Sequence, residues 1–144
     1  RVSDPSVRAA LERVLAGRRD RILERWLTRL SPLTWPRVRE GRLCLQDLAV
    51  WSGIRDGADR RYEVAAWSPG GGSVTLPGEL ERAGDAYVCV PLAEDEPYLL
   101  LDVTAWTEGR ETTGPARVHL ARGAQGLRLI GLERPEPPES EPAR

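Results

Sequence analysis

Apolar positions follow a helical period through the first third of the chain and a period of two from Tyr62 onward. Asp4 is placed to cap a helix that Pro5 opens, with Val7, Leu11, Val14 and Leu15 recurring on one face. After Gly17 the apolar set becomes Ile22, Leu23, Trp26, Leu27 and Leu30. That set is rotated by about 100°, a slip of one position, and predicts a helix broken or kinked at Gly17. "SPLTWPRVREG" (31–41) reads as a loop with one helical turn, and "LCLQDLAVWSG" (43–53) as a short helix stopped at Gly53. Alternation then predicts strands at 62–67, 73–77, 86–92, 98–106, 115–122 and 127–133, separated by Gly, Pro and acidic clusters. Turns this short imply antiparallel neighbours, hence a meander.

The expected fold class is therefore α+β, with N-terminal helices (within 4–53) packed on one face of a curved antiparallel β-meander (62–134). Residues 1–134 read as a single domain, which 144 residues suffice to build, and the Pro/Glu-rich 135–144 as a disordered tail or linker. In element order this resembles the cystatin-like and NTF2-like folds, whose arrangement implies helices covering one face of a curved antiparallel sheet. "RRDRILERWLTRL" (18–30) also resembles the opening helix of some bacterial sensory modules.

Strand register can be chosen so that apolar residues oppose one another. Closing "AEDEP" as a hairpin pairs Leu92 with Tyr98 and Cys89 with Leu101; pairing Trp106 with Pro115 sets Leu101 opposite Leu120 and Val103 opposite Val118. The turn "GAQG" pairs Arg122 with Leu127 and Leu120 with Leu129. One face is then a core row of Cys89, Leu101, Leu120 and Leu129. The opposite face carries Val88, Asp102, His119 and Ile130, with Ala86, Thr104, Arg117 and Leu132 beside them. In this register Asp102 stands across from His119, the only histidine of the chain. A carboxylate there would orient the imidazole for acid/base work, with Thr104 and Arg117 available to an anionic or carbonyl-bearing ligand. A cross-strand pair that merely satisfies two polar side chains accounts for the same residues and is the favoured reading.

Composition removes several chemistries. All 21 basic residues are arginine, and Lys, Asn, Phe and Met are absent, a bias expected of a GC-rich, bacterial genome. Without lysine there is no Schiff base and no Walker A phosphate loop, so "SPGGGS" (68–73) is read as a turn. No His or Cys spacing assembles a zinc site, no serine sits in a nucleophile elbow, and consecutive Glu94, Asp95 and Glu96 cannot converge on one calcium ion. No metal, no cofactor and no membrane span are expected. Cys44 and Cys89 are read as two reduced thiols in a cytoplasmic chain, or as a disulfide if the chain is secreted. The lack of Met predicts that Arg1 is not an initiator, so the chain reads as an excised domain, a processed mature chain or a trimmed one.

Charge is uneven. Residues 1–61 carry 14 arginines against 8 acidic residues, and residues 62–144 carry 7 against 14. Arg18, Arg21, Arg25 and Arg29 line up at helical spacing, a possible phosphate-tracking face. No aromatic platform accompanies them, which favours a solvated helix face over nucleic acid as partner. The functional expectation is a non-enzymatic binding or interaction domain, an accessory part of a larger bacterial protein, with an unknown protein or small-molecule partner. The alternative is a small-molecule pocket with His119 and Asp102 as an acid/base pair.

Overall fold

A computed structural model describes residues 4–109 and 113–135. The tail expected to be disordered falls, from residue 136, outside the described residues. The element order is α1 (Pro5–Leu27), β1 (Leu33–Arg39), β2 (Arg42–Asp47), a one-turn α2 (Leu48–Trp51), a 3-10 turn at Gly57–Asp59, β3 (Arg60–Trp67), β4 (Glu81–Arg82), β5 (Tyr87–Pro91), β6 (Tyr98–Thr107), β7 (Ala116–Gly123) and β8 (Gly126–Glu133).

The α+β class holds, but the expected single meander is two four-stranded antiparallel sheets. One has the order β1-β2-β5-β4, the other β3-β6-β7-β8. The region read as loop and helix over 31–53 supplies two of the strands. Glu40 (φ 51°) and Gly41 (φ 70°) are the two left-handed residues of a tight hairpin turn between them. Leu43 and Leu45 then alternate inward, the half-buried signature of a strand. Only the last turn of the expected helix exists, started by Asp47, whose side chain caps Ala49 and Val50 N–H. The segment expected as a strand at 73–77 makes one isolated bridge, Trp67 to Ser73.

The core lies between the sheets. Leu33, Leu43, Leu45, Val88 and Val90 from the first meet Leu99, Leu101, Val103, Ala105, Val118 and Leu120 from the second in one buried cluster. The helix-on-sheet packing expected from the element order is thus replaced by sheet on sheet, because strands β1 and β2 take the place assigned to helices. α1 contributes no buried residue. It is also unbroken: Gly17 stays helical and the apolar stripe winds around a continuous rod.

The register changes with the topology. β5 joins β2 and β4, not β6, so "AEDEP" crosses between sheets rather than closing a hairpin. Val88 and Val90 face the core, and Cys89 points outward opposite Cys44, reversing the faces expected for this strand. Their sulfurs form a disulfide, S–S 2.03 Å, across a separation of 45 residues, in place of the expected free thiols. Between β7 and β8 the expected Leu120–Leu129 and Arg122–Leu127 pairs hold, up to a bulge after which His119 faces Gly131 rather than Ile130.

Candidate functional site

The four residues singled out on the second sheet, Asp102, Thr104, Arg117 and His119, share its outer face, but not in the expected pairs. β6 and β7 pair with Asp102 opposite Arg117 and Leu100 opposite His119. The shift is of two residues, which conserves faces and so leaves the hydrophobic alternation unchanged. Charge distinguishes the two registers: the observed one lets Arg117 Nε and Nη2 donate to both oxygens of Asp102, each at 2.8 Å. This hydrogen bonding, with the Asp102 charge behind it, holds the Arg117 guanidinium above its ordinary range.

The expected Asp102–His119 dyad is therefore not formed. Both Asp102 oxygens are engaged by the guanidinium, and His119 has other neighbours. Its Nδ1 lies 2.9 Å from Tyr98 Oη. Its Nε2 lies 3.3 Å from Glu133 Oε2, outside hydrogen-bonding geometry. Through Tyr98 the imidazole links β6 to β7. Asp102→Asn should leave the His119 ring resonances in place while Tyr98→Phe moves them, a pair of NMR spectra that would reverse if the dyad existed.

Thr104 and Asp102 line a shallow recess of about 360 Å³ with Glu63, Val64, Ala65 and Pro115. Arg117 and His119 are not among its walls. The recess carries two carboxylates, and Arg117 is already paired with one of them, so it does not favour an anionic ligand.

Sequence reasoning missed the polar centre of the molecule. Asp47 is fully buried at the end of β2, and Arg60, at the start of β3, is only 5% exposed. Arg60 Nε donates to Asp47 Oδ2 at 2.9 Å, and Tyr62 Oη donates to the same oxygen at 2.9 Å. Arg60 Nη2 also sits 2.9 Å from that oxygen but outside hydrogen-bonding geometry, and Nη1 donates to Thr107 Oγ1 at 3.2 Å. Asp47 Oδ1 accepts from Ala49 N–H at 2.9 Å. The Arg82 guanidinium lies over the Tyr62 ring, 5.5 Å from its centroid, and donates to the Gly57 and Arg60 carbonyls. One carboxylate thereby joins the first sheet to the second. The only signal in the sequence was an acidic residue ending an alternating run, "LCLQD", and an arginine opening the next.

Burial, and then the charge of Asp47, push the Tyr62 phenol well above its ordinary range. Folding thus favours the protonated phenol. The resulting stabilisation is complete below the unfolded value of about 10 and declines as pH rises above it, where unfolded tyrosine ionises and the folded side chain does not. Urea unfolding at pH 9 and pH 11 should show a loss of stability in the wild type that Tyr62→Phe lacks. Equal losses in both proteins would show that other groups carry the alkaline slope.

A second recess, about 390 Å³, separates the end of α1 from the sheets and is lined by Glu24, Leu27, Thr28, Arg55 and Thr107, among others. Glu24 reaches Arg55 Nη1 at 3.5 Å. This side of the last turns of α1 faces the body, and Val7, Leu11, Val14, Leu15, Ile22 and Trp26, which lie away from it, are each about half exposed. Among the described residues no group of three potential metal ligands is found, and no helix is long and apolar enough to cross a membrane. The chain matches no family model, no curated protein and no solved structure.

Proposed function

We propose that the chain is a non-enzymatic interaction domain, an accessory part of a larger bacterial protein, that docks a partner through α1. The observation that carries this reading is the outward apolar stripe. At 100° per residue, Val7, Leu11, Val14, Leu15, Ile22 and Trp26 fall within a sector of about 120°, away from the Glu24, Leu27 and Thr28 side by which the last turns of α1 meet the body. The core between the sheets is complete without it. A row of half-exposed aliphatic side chains with Trp26 (54% exposed) is the composition of a binding surface rather than of a solvated face. The disulfide supports residence in an oxidising compartment.

Leu11→Ser combined with Ile22→Ser tests the reading. The melting temperature should change little, within about 0.5 kcal/mol per substitution, while binding of a hydrophobic dye such as anilinonaphthalene sulfonate to the folded protein is lost. Large destabilisation would make the stripe part of the core, and unchanged dye binding would place the apolar surface elsewhere.

A further inference from the structure

We infer that the partner of α1 is an acidic amphipathic α-helix of another polypeptide; this rests on the docking reading above. The charges beside the stripe carry the inference. Arg18, Arg21 and Arg25 fall within about 60° of one another, Arg21 just outside the apolar sector and Arg25 and Arg18 inside it. None of the three makes an ion pair among the described residues. The acidic residues of α1 are already engaged: Glu12 with Arg8 at 3.0 Å, Asp20 with Arg19 at 2.7 Å and Glu24 with Arg55 at 3.5 Å. The surface therefore presents an apolar stripe flanked and interrupted by uncompensated cations, and its complement is an apolar stripe that carries carboxylates.

A second α1 does not supply that complement, because its own carboxylates are the paired ones. An anionic lipid surface supplies the charge but fits the seam poorly. Arg18 lies within the apolar sector, between Leu15 and Ile22, and divides it into Val7/Leu11/Leu15 and Ile22/Trp26. A bilayer interface calls for an unbroken apolar half. A partner helix accommodates the break, since one carboxylate at that level engages Arg18 while aliphatic side chains fill the gaps on either side.

The test uses the chain as it stands and two synthetic helices, one with a leucine seam flanked by glutamates and the same peptide with lysines in their place. Fluorescence anisotropy should show binding of the glutamate peptide, weakening as salt rises, and none of the lysine peptide. Arg21→Glu with Arg25→Glu, both at exposed positions, should weaken the glutamate peptide roughly tenfold or more and create affinity for the lysine peptide. Equal binding of both peptides, or of neither, overturns the inference. In the same series, sedimentation with phosphatidylglycerol vesicles without a peptide preference, or concentration-dependent dimerisation lost in Leu11→Ser/Ile22→Ser, overturns the helical partner and leaves the docking reading standing. If peptide, vesicle and second copy all leave hydrogen exchange of the α1 amides unchanged, the docking reading fails as well.

Discussion

Asp47→Ala should destabilise the fold by about 3–5 kcal/mol, the range for removing one partner of a buried ion pair. Four contacts end at this carboxylate: Arg60, Tyr62 and the backbone amides of Ala49 and Val50. Without it a guanidinium only 5% exposed is left with one hydroxyl partner, Thr107, and α2 loses its cap. Against the usual 5–15 kcal/mol of a whole domain this is a large fraction, corresponding to roughly 10–15 °C in melting temperature. Adding Arg60→Leu to Asp47→Ala should restore part of the loss, because it removes the orphaned charge. Thermal melts of the two single variants and the double variant decide it. Additive losses, or an Asp47→Ala loss under about 1 kcal/mol, would mean that water already satisfies Arg60.

The same cluster shows what could be read from the sequence. The strands from Tyr62 onward were legible because one face of each is buried and the other is not: Leu99, Leu101, Val103 and Ala105 alternate with Leu100, Asp102 and Thr104. β1 and β2 were not. Leu43, Leu45, Leu48 and Val50 satisfy both a strand followed by a turn of helix and a single short helix, and the arbitration rests on the turn. Glu40–Gly41 is a weak turn signal, since its first residue is not one of those that readily adopt positive φ. Misreading that hairpin removed a sheet from the expected architecture, and with it the natural partner for β5.

The site was half legible for a related reason. Alternation places Asp102, Thr104, Arg117 and His119 on one face in either register, but cannot distinguish registers that differ by two. Pairs across the strands decide between them: aliphatic matching of Leu101 with Leu120 favours one register and the charge match of Asp102 with Arg117 the other. In the structure the bidentate ion pair is formed, and Leu101 still finds an apolar partner in Val118. Tyr98 and Glu133 could enter only once the register was right, because each meets His119 from a neighbouring strand.

Removing the disulfide is expected to have the second large effect. Cys44 and Cys89 face each other directly on β2 and β5, in the middle of a ladder from Arg42–Pro91 to Gln46–Tyr87. The bridge closes a loop of 45 residues that contains β3, β4 and the whole passage from one sheet to the other and back. Constraining such a loop in the unfolded chain is worth about 4 kcal/mol by the chain-entropy relation. Cys44→Ala with Cys89→Ala should lower stability by about 2–4 kcal/mol, and a thiol reductant should lower the wild type by a similar amount while leaving the double variant unchanged. Denaturant titrations of both proteins with and without reductant measure this directly. The comparison also separates the cross-link from the packing of two sulfurs: a variant that loses stability in a wild type indifferent to reductant would assign the loss to packing. Asp47 lies three residues from Cys44 on the same strand, but its side chain joins the sheets at the end of β2 while the bridge crosses the outer face. The Asp47 and disulfide losses should therefore add within about 0.5 kcal/mol, provided the domain retains enough stability to fold when both are removed.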